Sequence, residues 1–178
     1  IQANIRVQMG RTDDVVRTWY HLEYTALEEL RYDRLAFFQM AADRYGDNAY
    51  ARAAWGDRAG VVEDRAIPDH GATGYADPAD RGIPLNGEAP WVMLYDNQRA
   101  DGDLPELYAD LAYVVRHFEA TLGGEVLRTP HLNVHRTNNR GSQFGLELGL
   151  PYDALNPVVP AGSTLRATVE YLVLPADK

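Results

Sequence analysis

The sequence contains no cysteine and a single lysine, Lys178. Without cysteine the chain forms neither disulfides nor thiolate metal sites, so cysteine pairing says nothing about its redox compartment. Lysine and arginine together number 17, so all the other basic residues are arginine. Arginine suits planar recognition of carboxylates, although a GC-rich coding sequence produces the same bias. Long apolar runs are also missing: none approaches the roughly 18 residues of a membrane-spanning helix, and we expect no membrane span.

Acidic residues outnumber basic ones, 26 to 17, which gives a net charge of -9 and a pI near 4.9. This balance argues against nucleic acid as a partner, because binding a phosphate backbone requires clustered lysine and arginine. The 178 residues, 46% of them hydrophobic, predict one globular domain over the whole chain. The chain begins at Ile1 without a leader pattern, so we expect a processed mature protein or a piece of a longer one. The acidic, lysine-poor composition is compatible with a secreted or periplasmic setting.

Two stretches near the amino terminus alternate with the two-residue period of a β-strand. Residues 1–9 place apolar side chains on one face and polar ones on the other, which predicts a sheet packed on one side and wet on the other. Residues 10–13 then have the residue types of a turn. Residues 15–26 also alternate, within the aromatic-rich stretch 13–55, around which we expect the core to be built.

The segment 26–45 is ambiguous between helix and strand. It contains many good helix formers, with Leu27, Leu30 and Phe37 near a helical stripe. However, residues 35–42 are apolar at nearly every position, as in a strand buried on both faces. We predict a strand, because helix propensity is a weak signal and the flanking segments have a β pattern. The helix remains the alternative.

The rest of the chain alternates short apolar runs with segments rich in glycine, proline, asparagine and aspartate. Residues 58–90 hold five glycines and four prolines, and we predict one long loop or lid that covers a sheet face or lines a cleft. Further strands are predicted at residues 48–55, 90–96, 112–122, 131–136, 143–150 and 164–174. Eight or more strands separated by such turns predict an all-β fold, a two-layer antiparallel β-sandwich of which the jelly roll is one form.

Four stretches carry a family resemblance: RLAFFQMAADRYGDN, PWVMLYD, VVRHFEATLGGEVLRTP and LPYDALNPVVPAGSTLRATVEYLVLP. With them the chain resembles, over roughly residues 34–175, the large β-sandwich or supersandwich domains that accompany secreted glycoside hydrolases and polysaccharide lyases. The resemblance implies a carbohydrate-related function and an extracellular setting. Such enzymes usually carry a second, often helical, catalytic domain, which this chain lacks. It is therefore one module of a larger protein or a small carbohydrate-active protein that works alone.

Two pairs of titratable residues have the spacing of one strand face. His21 and Glu23 lie two residues apart, as do His117 and Glu119, whereas Arg116 is expected on the opposite face. Such groups beside aromatic rings are how a sugar cleft is built, so these four residues are the catalytic candidates. A solvated outer sheet face explains the same pattern.

The binding candidates lie beside the first pair and in the long loop. Arg17 and Trp19 continue the strand face of the first pair, and His70 and Tyr75 lie within the predicted lid. Aromatic rings stack on pyranose faces, and arginine holds hydroxyl or acid groups of a sugar.

Metal binding has two candidate regions. His131 and His135 lie four residues apart and therefore on one face of a strand or helical turn, but no third ligand follows at a recognisable spacing. Asp101 and Asp103, and separately residues 43–48, could place oxygen ligands on Ca²⁺, which β-sandwich carbohydrate modules often carry by family resemblance. Neither segment follows the twelve-position helical calcium loop, so ordinary turns formed by aspartate and asparagine are the favoured account. We predict no other cofactor.

Three functions from different classes fit these patterns. The first is a module of a secreted polysaccharide-degrading system that binds a polysaccharide or oligosaccharide or supports a separate catalytic domain. The second is a small stand-alone glycan-cleaving enzyme, whose carboxylate pair the sequence does not select. The third is a structural or assembly subunit of a surface or filament protein that forms homo-oligomers.

Overall fold

A computed structural model describes residues 1–32, 35–42, 49–66, 82–98, 109–138, 142–150 and 158–175. These ranges contain strands and no helix, and hence no helix of the length and apolarity needed to cross a membrane. The strands are β1 (Gln2–Thr12), β2 (Val15–Thr25), β3 (Leu30–Arg31), β4 (Ala36–Ala42), β5 (Ala49–Asp57), β6 (Gly60–Ala66), β7 (Ile83–Pro84), β8 (Trp91–Gln98), β9 (Asp110–Leu122), β10 (Glu125–Leu127), β11 (His131–Asn138), β12 (Ser142–Gly149), β13 (Val158–Val159) and β14 (Thr164–Leu174).

The strands form two main antiparallel sheets. The large sheet has the order β1-β2-β14-β9-β8-β5-β6, with β10 paired to β9, and the small sheet has the order β4-β12-β11-β7. The short strands β3 and β13 pair with each other. One hydrophobic core joins the two sheets in a sandwich-like arrangement, which confirms the predicted all-β, antiparallel, two-layer fold class.

Strand β14 illustrates how alternation builds this sandwich. Leu165, Ala167 and Val169 are buried in the core, whereas Arg166 and Thr168 lie on the outer face of the large sheet. The same period of two operates on β2 and β9, the neighbours of β14. The core is not confined to residues 13–55, because it draws equally on fully buried side chains from later strands: Val92, Leu94, Tyr113, Leu132, Leu146 and Leu148.

A β-bulge in β9 changes which side chains face outward. Thr168 faces His117, but the next residue of β14 faces Val115, so Arg116 is an extra residue. Val115 and Phe118 are buried, whereas both Arg116 and His117 lie on the outer face. The expectation that Arg116 and His117 occupy opposite faces is therefore wrong, because strict alternation does not hold across a bulge.

The strand predicted for the segment 26–45 is confirmed in part, because β3 and β4 lie within it, and the helix alternative is wrong for the described residues of this segment. The register between β4 and β12 shifts by one residue next to Phe37, so that Phe37 and Phe38 both turn toward the large sheet. Their rings lie 5.2 Å from Phe118 and 5.5 Å from Tyr113, respectively. The adjacent apolar residues Phe37 and Phe38 therefore mark a β-bulge. The prediction of a regular strand buried on both faces is wrong.

The predicted loop over residues 58–90 is wrong in part, because β6 and β7 lie within it. β6 follows β5 through a turn in which the Asp57 carboxylate accepts the Ala59 amide at 2.7 Å. As the edge strand of the large sheet, β6 leaves Val61 and Val62 exposed. Its sequence therefore lacks the buried alternation that marks the inner strands. Residues 67–81 lie outside the described residues.

β1 also departs from prediction. It continues to Thr12, and the chain reverses at Asp13, whose φ is 53°, so residues 10–12 are strand where a turn was predicted. Val7 faces Tyr20, whose ring packs on the core, so the apolar residues of β1 lie on the inner side of the large sheet. They are nevertheless exposed, by 53%, 51% and 75% for Ile5, Val7 and Met9. The expected packing of this face is wrong.

The remaining predicted strands are confirmed with ends shifted by a few residues, as β2, β5, β8, β9, β11, β12 and β14. β9 ends where predicted, because Gly123 and Gly124 adopt φ values of 57° and 93° that favour glycine.

Candidate functional site

A polar groove of about 320 Å³ lies on the outer face of the large sheet, across β1, β2, β14 and β9. Two rows of residues run across these strands. The histidine row comprises residues that face one another on the four strands: Arg6, His21, Thr168 and His117. The glutamate row lies next to it and comprises Asn4, Glu23, Arg166 and Glu119. Strands lie ~4.8 Å apart, so each row extends over roughly 14 Å.

Both ring nitrogens of His21 are engaged. Nε2 lies 3.2 Å from Gln8 Oε1, and Nδ1 lies 3.2 Å from Thr168 Oγ1. A carbonyl oxygen only accepts, so Nε2–H donates to Gln8 and, in the neutral ring, Nδ1 accepts the Thr168 hydroxyl. His21 is therefore oriented by its neighbours, and its lone pair is already used. This arrangement suits positioning better than proton abstraction.

In the groove, the guanidinium groups have fewer hydrogen-bond and ion-pair partners than the carboxylate of Glu23. Asn4 Nδ2 donates to Glu23 Oε2 at 3.4 Å, and Arg166 Nε lies 4.0 Å from Glu23 Oε1. Arg6 forms no hydrogen bond or ion pair with any residue that the structure describes. With Arg6 and Arg166 against Glu23, the groove is locally cationic on a protein whose net charge is -9. An anionic group would find a free donor here.

A buried carboxylate lies beside the histidine row. Glu170 is 2% exposed although it faces outward, because Arg17 and Arg116 cover it. Arg17 Nη1 donates to Oε1 at 2.6 Å and Arg116 Nε to Oε2 at 2.7 Å. Burial alone would raise the pKa of Glu170, but the hydrogen bonds and charges of the two arginines outweigh it and hold this pKa below its ordinary value. The cluster ties β2, β14 and β9 together.

Trp19 is the aromatic residue that flanks the groove. It lies two residues before His21 on β2 and thus on the same face. Its ring crosses the backbone of β1 at Gly10, where an added Cβ would lie 3.4 Å from the ring. Trp91 lies on the same outer face but on β8, and Trp55 is only 5% exposed within the core. Trp19 is therefore the tryptophan on the strand next to the groove, although its ring lies toward Gly10 and is not among the lining residues.

The structure brings three of the four catalytic candidates together. His21, Glu23 and His117 line the groove. Glu119 ends the glutamate row, but it does not line the groove, and its carboxylate lies 3.4 Å from Arg128 Nη2. Of the binding candidates, Trp19 flanks the groove and Arg17 is committed to Glu170. His70 and Tyr75 lie outside the described residues.

Metal ligation has no support within the residues that the structure describes, because no three of their His, Asp and Glu side chains cluster. His131 begins β11, and its Nδ1 is buried without a hydrogen-bond partner there. Burial lowers the pKa of His131, against an opposing effect of the Thr129 backbone, and keeps the ring neutral. The His135 side chain, Asp101, Asp103 and the segment 43–48 lie outside the described part.

Two other features of the described surface offer less chemistry. Arg52, Asp64 and Tyr95 bond one another on the outer face, with Tyr95 Oη donating to Asp64 Oδ1 at 2.6 Å. A cavity of about 200 Å³ at one end of the sandwich is lined mainly by apolar side chains, including Tyr24 and Phe37. The first feature satisfies its own polar groups, and the second carries no charged group among its lining residues.

Sequence reasoning missed four residues of the groove: Asn4, Arg6, Arg166 and Thr168. Each occupies an outward position of a strand that was itself predicted, so alternation marks them as polar-face residues. Only the strand order shows that β14 lies between β2 and β9 and therefore places its polar residues beside the histidines.

Comparison with models of protein families and with curated proteins finds no match for this chain.

Proposed function

We propose that the protein is a non-catalytic module that binds an acidic polysaccharide along the polar groove. The observation that carries this proposal is the Arg6 guanidinium, which has no hydrogen-bond or ion-pair partner among the described residues, in a locally cationic groove that also contains His21 and Glu23. Sugars present hydroxyl groups that both donate and accept, and a uronate adds a carboxylate that pairs with arginine in a planar, bidentate geometry. The indole of Trp19 adds an apolar surface next to these polar groups.

Binding fits the geometry better than cleavage. Glycoside hydrolysis needs two carboxyl groups about 5–9.5 Å apart on either side of one bond. Glu23 and Glu119 share a row on strands two steps, roughly 9.6 Å, apart, which is at the upper limit of that range. Glu119 is also paired with Arg128, and both nitrogens of His21 are engaged. Among the described residues, the two carboxylates of the glutamate row thus each lie within ion-pair distance of an arginine.

The secreted setting and the association with a polysaccharide-degrading system belong to the same proposal. They are supported by the family resemblance of the sequence and by the antiparallel sandwich that resemblance implies. In such a system the module would hold the polysaccharide close to a catalytic domain, which raises the effective concentration of substrate at that domain.

Affinity electrophoresis of the purified chain in gels that contain neutral or acidic polysaccharides tests this function. We expect retardation by polyuronates and little by neutral glucans, with no release of reducing ends. Arg6→Gln should weaken retardation about tenfold or more, because a hydrogen bond to a charged group contributes roughly 1.5–3 kcal/mol. Arg11→Gln is the matched control, since Arg11 lies on the same strand but outside the groove.

Three outcomes would contradict the proposal. If no acidic polysaccharide retards the chain, the groove is not a glycan site. If Arg11→Gln weakens retardation as much as Arg6→Gln, general charge and not the groove accounts for binding. Release of sugar products would instead support the stand-alone glycan-cleaving enzyme, and His21, Glu23 and Glu119 would then be the residues to replace.

A further inference from the structure

β1 is an edge strand whose apolar face has no cover. Among the described strands it pairs with β2 alone, so the amide and carbonyl groups along its other edge point away from the sheet. Ile5, Val7 and Met9 are each more than half exposed on the side that forms the core elsewhere in the sheet. Unpaired backbone beside a row of exposed apolar side chains is the surface on which another strand can add.

The five central residues of β1 are symmetric in polarity about Val7, whereas the outer pair Ala3 and Arg11 is not. Val7 is the central residue of Gln2–Thr12. On either side of Val7, polar Arg6 matches Gln8, and apolar Ile5 matches Met9. The strand ends, Gln2 and Thr12, are both polar. A strand with this property is complementary to an antiparallel copy of itself, because related positions then carry the same kind of side chain.

We propose that β1 pairs with β1 of a second copy of this chain about a two-fold axis through Val7, joining the two large sheets edge to edge. Val7 then faces the partner's Val7, Ile5 faces the partner's Met9, and all eleven strand residues are paired. Arg6 faces the partner's Gln8. A register step toward the start of β1 would place Arg6 opposite the partner's Arg6, which like-charge repulsion disfavours, and a step the other way would place apolar Ile5 opposite the partner's Arg11.

A second copy fits β1 better than the opposite edge of the same sheet. β6 has seven residues against eleven in β1, and a register shift interrupts its pairing with β5. Asp64, an acidic residue that could attract Arg6, is already bonded to Arg52 and Tyr95. Pairing of β1 with β6 would also leave free edges and propagate into filaments, whereas the two-fold pairing closes at a dimer.

The pairing would join the two polar grooves. In this register Arg6, at the end of the histidine row, faces the partner's Gln8. The partner's Gln8 in turn faces the partner's Trp19 on β2, so the row continues into the second copy. Each groove would thus gain an indole from the other copy on the same outer face. The side chain of Val7 points to the opposite side of the sheet, so the pairing can be disrupted without altering any groove residue. The dimer does not depend on the proposed glycan function.

Single cysteines test both the pairing and its register, because the native chain has none. Under mild oxidation Val7→Cys should form a covalent dimer readily, since facing residues of paired strands lie within disulfide reach. Ile5→Cys alone should cross-link roughly tenfold more slowly, because its two copies would lie about 13 Å apart. A mixture of Ile5→Cys and Met9→Cys should cross-link like Val7→Cys. Val62→Cys is the matched control, because Val62 is also more than half exposed and lies on β6.

Analytical ultracentrifugation of the unmodified chain should show a concentration-dependent dimer. Val7→Lys should abolish it, and Val62→Lys should not. Cross-linking of Val7→Cys no faster than Val62→Cys would overturn the proposal, as would a monomer at every concentration. Preferential cross-linking in a mixture of Val7→Cys and Val62→Cys would identify β6 as the occupant instead. A dimer without glycan binding would leave this inference standing and would remove the proposed function.

Discussion

Replacing Glu170 by glutamine should destabilise the protein in a pH-dependent way. The carboxylate is 2% exposed and bonded to Arg17 and Arg116, which are 35% and 46% exposed. Breaking a fully buried ion pair costs about 3–5 kcal/mol, whereas an exposed pair is worth about 0–1 kcal/mol. Because both arginines can regain water, we expect Glu170→Gln to cost about 2–3 kcal/mol, or a fall in Tm of about 4–12 °C for a domain of this size.

The pH dependence gives this prediction its sharper form. The pKa of Glu170 is held below its ordinary value of 4.5 in the folded protein. The unfolded chain therefore binds this proton more readily, and the charged carboxylate contributes stability above pH ~4.5 that is lost as the pH falls through the folded pKa. The difference in Tm between the native protein and Glu170→Gln should be constant from about pH 6 to 8 and shrink as the pH falls below 4.5 toward the lower pKa of the folded protein.

Differential scanning calorimetry across this pH range measures both quantities. Glu119→Gln is the matched control, because Glu119 also faces outward on this sheet but pairs with Arg128 at a partly exposed site. Its loss should cost less than about 1 kcal/mol. A Glu170→Gln protein as stable as the native one at pH 7, or a difference that persists unchanged at pH 3, would refute the assigned role of the cluster.

Two further predictions concern the opposite half of the large sheet. Gly56→Ala should lower the Tm by roughly 6 °C or more, because a Cβ there would collide with the Gly60 carbonyl and lie 2.9 Å from the Trp91 ring. An unchanged melting curve would contradict the close approach of Gly56 to these two groups. Burial, with smaller electrostatic contributions, raises the pKa of Tyr50 to about 12, and its hydroxyl donates to the Ala109 carbonyl at 2.7 Å. Since the folded pKa of Tyr50 lies above its ordinary value, the native protein should lose stability as the pH rises from 10 to 12. Tyr50→Phe should cost about 1 kcal/mol of stability at pH 7 but lose less stability between pH 10 and 12. If the free energies of unfolding from denaturant titrations fall equally with pH in both proteins, this prediction is wrong.

The alternation of apolar and polar side chains predicts the strands of the sandwich well where one face of a strand is buried and the other is not. The strand predicted over 164–174 matches β14, because its inward residues are apolar and its outward ones polar. The rule failed at the edges of the large sheet. β6 has no buried side and was taken for loop, and β1 has an apolar side that nothing in the described structure covers. Edge strands lack the burial contrast on which the pattern depends.

The candidate site was predicted in its parts but not in its assembly. The spacing of His21 and Glu23 placed them on one face, which the groove confirms. Their proximity to His117 required β14, a strand more than 140 residues after β2, to lie between β2 and β9. Pairing between distant strands is decided by the packing of the whole core, so a local pattern cannot specify it. The bulge at Arg116 is equally invisible to a period of two.

The bulge links the stability of the sheet to the shape of the groove. By adding one residue to β9, it directs Arg116 onto Glu170 and His117 into the histidine row, two outward contacts from consecutive positions. A regular strand would have to give up one of them. The Glu170 cluster then fixes the strands that carry His21, Thr168 and His117 directly beside these residues. Because β2, β14 and β9 are already tied together, His21, Thr168 and His117 would meet a ligand with little ordering cost, whereas Arg6 on the edge strand β1 would have to be ordered by the ligand.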